Sequence, residues 1–169
     1  LPGHDRDLKQ AVVVDESNIE ARGAWGLRLL ALERSEEAMP HLEEAARARP
    51  WDVSLGLALA ASVGATEGAT EQGALLGVLA DRHTMDLRVA RTRAQWLLDQ
   101  GLYEEAYRYA RETLQRLPDG QLGVALVASA LQTGRHQEAA ALVESIGEEV
   151  GNTRLIEAAR QLRARGSGG

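Results

Sequence analysis

A repeated block at a fixed offset constrains this chain more than any other feature. Residues 101–119 (GLYEEAYRYARETLQRLPD) lie over residues 33–52 (ERSEEAMPHLEEAARARPWD), with Glu105-Ala106 on Glu37-Ala38. Ala38 and Ala106 are 68 residues apart, and so are Pro50 and Pro118. A further copy follows one residue early, since Gly101 and Gly134, like Ala106 and Ala139, are 33 apart. Half of the longer offset is a unit of about 34 residues, the size of a helix–turn–helix repeat. Such a unit cannot bury its apolar face alone, so its neighbours must stack on it. Small residues (Gly26, Ala38, Ala45, Ala94, Ala106, Ala139) recur beside Leu or aromatic residues at helical spacing, the pattern of closely paired helices. Glu37 and Glu105 suit first turns, where carboxylates favour the helix dipole, and Pro50 and Pro118 stop the helices before them.

Composition agrees and removes several function classes. Of 169 residues, 44% are hydrophobic but only 4% aromatic, with no Phe, which favours an all-α chain packed through small side chains. The absence of cysteine excludes disulfides, thiolate nucleophiles and thiolate zinc sites. A net charge of −6 opposes binding to nucleic acid or to an anionic membrane surface. The most apolar stretch, Val53 to Ala65, is shorter than the roughly 20 residues that a membrane span needs, so membrane insertion is not expected. It is apolar on most of its circumference, which predicts a buried helix with something covering its remaining face. The start, Leu1-Pro2-Gly3-His4-Asp5, lacks a signal-peptide layout and is expected to be a cut within a longer protein, and Gly166 to Gly169 has linker composition. With no export signal, a cytoplasmic location is the expectation.

In the first full copy Trp25, Gly26, Leu29, Ala38, Leu42 and Pro50 stand at the landmark places of the tetratricopeptide repeat (TPR) family, which the chain resembles over most of residues 7 to 165. The third copy keeps Leu97, Ala106 and Pro118 but has Arg93 where an apolar residue is usual. The fourth keeps Leu126, Ala130, Ala139 and Val143 without the proline. The second copy departs most, with Gln72 at the small-residue place and Thr84 at the proline's. The resemblance implies a right-handed α-solenoid of antiparallel helix pairs, a TPR-like superhelix. Residues 1–17 then hold the second helix of a truncated repeat. Four pairs follow at about 18–51, 52–85, 86–119 and 120–151, then a capping helix at 152–165 and a linker or appended tail at 166–169.

Catalytic signals are poor. His4, His41, His83 and His136 form no metal-binding pair, and no serine lies in a nucleophile elbow, so neither an enzyme nor a metal or other cofactor is expected. The tandem GATE within Gly64 to Gly73 lacks the Lys-Ser/Thr of a phosphate loop and reads as a flexible connection. Arg154, Arg160, Arg163 and Arg165 read as a solvated face. In the family resembled, first helices line a concave groove. Here that groove would receive Ala24 and Leu27, then Leu57, Ala58 and Ala61, then Arg88, Arg91 and Gln95, and finally Val124 and Ala128. Arg88, Arg91 and Gln95 share one helical face, where guanidinium forks suit a carboxylate; the competing reading pairs the arginines with acids such as Asp86. Lys9 is the only lysine, so the carboxylate clamp of chaperone-binding relatives is not reproduced. These features predict a non-catalytic protein–protein interaction scaffold that binds a peptide or helix. The alternatives are a recruiting arm of a multidomain enzyme and a self-assembling homo-oligomer.

Overall fold

The computed structural model of the protein describes residues 2–15 and 18–167, and among these the regular structure is entirely helical. In chain order the helices are α1 (Pro2–Val14), α2 (Ile19–Ala31), α3 (Ser35–Ala48), α4 (Val53–Thr66), α5 (Ala69–Arg82), α6 (Leu87–Asp99), α7 (Tyr103–Leu114), α8 (Gly120–Thr133), α9 (His136–Glu149) and α10 (Thr153–Gly166). Leu1, Glu16, Ser17, Gly168 and Gly169 lie outside the described residues, and with them part of the expected half-repeat and half of the expected tail, whose Gly166 instead ends α10. The described residues divide into two compact units, α1 to α5 and α6 to α10, with the division after His83.

Local chemistry sets the boundaries. Asn18, Asp52, Asp86, Asp119 and Asn152, spaced by 33 or 34 residues, stand just before α2, α4, α6, α8 and α10, and each side chain accepts hydrogen bonds from amides of the first turn. The helices that follow within each pair, α3, α5, α7 and α9, have no such side-chain cap. Three of the turns before them share one geometry. Glu33, Gly101 and Gly134 take φ of 60°, 69° and 72°. The next amide in each case (Arg34, Leu102, Arg135) reaches back to the carbonyl of Leu29, Leu97 or Ala130 at 3.0, 2.9 and 3.1 Å, closing a Schellman-type turn.

In the first unit α2 packs on α3, α3 on α4 and α4 on α5, with α2 and α4 also side by side. Trp25, Leu29, Leu42 and Leu55 form its core with Ala38 and Ala45 between them. Gly26 is essential to that approach, because a Cβ there would lie 2.8 Å from Cγ of Leu42, which is fully buried. Three neighbours, α2, α3 and α5, bury Val53, Leu55, Ala58, Ala60 and Val63 of α4, while Leu57 and Leu59 stay half-buried and Ala61 exposed. Gly64 to Gly73 is not the flexible connection expected, since only Glu67 and Gly68 separate α4 from α5. Gly68 makes the turn at a φ of 114°, and Gly64 serves packing. A Cβ on Gly64 would meet the Gln72 amide at 2.6 Å, so the larger residue at the small-residue place is matched by a missing side chain opposite.

In the second unit α8 touches α6, α7, α9 and α10, and Leu114, Leu122, Leu126, Val143, Leu155 and Leu162 fill the core between them. Gly123 allows α8 and α10 to meet, as a Cβ there would lie 2.7 Å from Leu155. Arg93, in a place where an apolar residue is usual, sits with its guanidinium 5.5 Å from the Tyr109 ring centre, so its stem and π contact replace apolar packing.

Candidate functional site

The expected binding positions lie on first helices, and each unit presents them separately. In the first unit, α2 places Leu27 at the surface, 39% exposed, with Ala24 half-buried. Neighbouring α4 adds half-buried Leu57 and exposed Ala61. Ala58, at 8% exposure, is turned into the core instead. In the second unit Arg88, half-buried Arg91 and Gln95 follow one another on α6, and Val124 and Ala128 stand on the neighbouring α8. Val124 is 57% exposed.

The polar residues of α6 are already engaged. Arg88 turns back on the acid that caps its own helix, with Nη2 donating to Oδ2 of Asp86 at 2.8 Å and Nε to Oδ1 at 3.2 Å. That guanidinium, together with the first-turn amides, holds the Asp86 carboxyl below the ordinary aspartate range against the effect of desolvation. Nε2 of Gln95 donates to Oδ1 of Asp99 at 2.7 Å. Arg91 reaches across to the start of α8, where Nε and Nη2 donate to Oδ1 and Oδ2 of Asp119 at 3.1 and 2.5 Å.

Asp119 was not among the residues singled out from the sequence, yet it is the junction of the site. It is 6% exposed, caps α8 by accepting from the amides of Gln121 and Leu122, and takes both donors of the Arg91 fork. Burial pushes its carboxyl upward, but the Arg91 guanidinium and the two amides outweigh that and hold it below its usual value. The two arginines therefore differ. The Arg88 pair is exposed, and exposed pairs exchange partners at little cost. Withdrawing Arg91 would strand a buried carboxylate. Arg91 thus ties α6 to α8, while Arg88, Gln95 and Val124 remain accessible to a partner.

Histidines contribute no comparable cluster. The Nδ1 of His41 is buried in α3 without a hydrogen-bond partner, and burial followed by the nearby Arg22 charge keeps its imidazole below the ordinary histidine range. No group of three or more His, Asp or Glu side chains placed to hold a metal ion occurs among the described residues. No described helix is long and apolar enough to cross a membrane.

No family model matches the sequence, and no curated protein matches it either. Solved structures do match in fold. A mutant of MamA superimposes with a TM-score of 0.67 at 20% identity, covering 86% of this chain and 80% of that one. PilF of Pseudomonas aeruginosa gives 0.60 at 20% identity over 88% of this chain and 75% of its own. A tetratricopeptide repeat protein from Parabacteroides merdae gives 0.56 at 15% identity, over 92% of this chain and 63% of its own. The fold is that of tetratricopeptide-type helix pairs, all-α throughout the described residues.

Proposed function

We propose that the protein is a non-catalytic interaction scaffold whose first helices bind a peptide or helix of another protein. The observation that carries this reading is the pair of neighbouring helices α6 and α8, one bearing exposed Arg88 and Gln95 and the other 57%-exposed Val124 with Ala128. An apolar anchor among fork-shaped and amide donors is the composition of a recognition surface. Leu27, Leu57 and Ala61 offer a second apolar strip on adjacent α2 and α4. All these side chains project from packed helices, so a partner would meet a preformed surface and little ordering cost would oppose binding. The tetratricopeptide-type fold supports protein recognition in general.

A photo-crosslinking amino acid at position 124, compared with one at exposed Glu112 on α7, tests the proposal in lysate of the source organism. The expected result is a discrete protein adduct at position 124, absent at position 112. Its yield should fall about tenfold when Gln95 and Arg88 are replaced by alanine. Equal adducts at both positions, or none at position 124, would refute the assignment of this face.

A further inference from the structure

On the side of α4 opposite Leu57 and Ala61, α3 and α5 leave a cleft of about 280 Å³ above Gly56 and Leu59. Its floor is apolar, formed by Leu59, Leu79 and Val78, and Val78 is 52% exposed. Three arginines, Arg47, Arg49 and Arg82, stand around it. Arg47 and Arg82 form no ion pair among the described residues, and Arg49 reaches Glu20 only at 3.7 Å. Two acids share the rim, Glu43 and Asp52, the latter capping α4 by accepting from the amides of Ser54 and Leu55, so the lining carries three positive charges against two negative ones. The cleft is thus locally positive on a chain of net charge −6. Between the lining residues Pro50 and Asp52 stands Trp51, 70% exposed. A tryptophan so exposed next to an apolar cleft and unpaired arginines has the composition of a binding hot spot.

We propose that this cleft is a second protein-docking site, taking an acidic amphipathic helix from a partner. An apolar side chain of that helix enters over Leu59 and Leu79, its carboxylates meet Arg47, Arg49 and Arg82, and its flank covers Trp51. The charge sign selects this occupant, and the apolar floor, which a phosphate backbone cannot fill, disfavours a nucleic acid. Cleft and first-helix strips lie on different sides of α4, so a partner here leaves Leu57 and Ala61 open to another.

The probe is a phage-displayed library of helix-forming peptides selected on the full chain. The expected winners carry Asp or Glu around Leu or Phe at helical spacing. Their binding should shift tryptophan emission to the blue, and the shift should vanish in Trp51→Phe. Val78→Asp should weaken them at least about tenfold. Arg47→Gln with Arg82→Gln should weaken them and flatten their salt dependence. Circular dichroism melts matching the parent would show that these surface variants remain folded. Winners lacking acids, or winners bound equally by the variants, would overturn the proposal. So would loss of binding in Val124→Asp, which would move the peptides to the first-helix face. A full chain found dimeric by light scattering but monomeric as Val78→Asp would assign the cleft to a second copy and likewise overturn it.

Discussion

Replacing Asp119 tests whether one buried carboxylate both starts α8 and binds α6 to it. Asp119→Ala removes the cap on the amides of Gln121 and Leu122, worth about 1 kcal/mol. It also removes the two-pronged bond to Arg91, worth roughly another 1 kcal/mol because the arginine is 41% exposed and partly rehydrates. The expected loss is therefore about 2 kcal/mol. Asp119→Asn keeps a cap acceptor but not the charge, so its loss should be about half of that. Arg91→Ala should cost about 1 to 2 kcal/mol, since the carboxylate stays buried with only the amides for partners. Urea unfolding followed by the helical circular dichroism signal measures each, and the double variant Arg91→Ala/Asp119→Asn gives the coupling, expected near 1 kcal/mol. Acidification supplies a second check. Because the folded carboxyl titrates below its ordinary value, its stabilisation is complete above the unfolded aspartate value of about 3.9 and is lost as pH falls through the folded value. The parent's advantage over Asp119→Asn should be constant near neutrality and shrink below about pH 4. A coupling below about 0.3 kcal/mol, or an advantage that does not change with acid, would refute the junction.

Two further variants probe the repeat turns and the helix contacts by the same unfolding assay. Glu33→Gly should stabilise by about 0.5 kcal/mol, because Glu33 holds the left-handed φ of 60° that Gly101 and Gly134 hold in equivalent turns, and glycine relieves that strain at some entropic cost; a destabilised variant would show that the Glu33 side chain contributes more than its strain costs. Gly26→Ala should destabilise by about 1 kcal/mol despite better helix propensity, since its Cβ would meet Leu42 at 2.8 and 2.9 Å within the core; a gain in stability would mean that α2 and α3 separate easily.

The repeat period, the helix pairs and the residues that let them approach were legible in the sequence alone. Those signals act within one turn or recur at one period, as with Gly26, Ala38, Ala106 and the prolines. The capping series Asn18, Asp52, Asp86, Asp119 and Asn152 was equally legible in principle, being local and periodic, and would have placed the start of each first helix. Helical spacing also placed Arg88, Arg91 and Gln95 along α6. What it could not supply was their partners. Arg91 meets a carboxylate 28 residues away, and only packing brings the start of α8 under α6 and buries Asp119 there. Tertiary structure likewise decided which residues of α4 are buried by α2, α3 and α5, that Ala58 turns inward while Val124 stays out, and that three arginines stand around an apolar cleft. Caps and periodicity are properties of neighbouring residues, whereas burial and the meeting of distant charges are properties of surfaces that exist only once the helices have stacked.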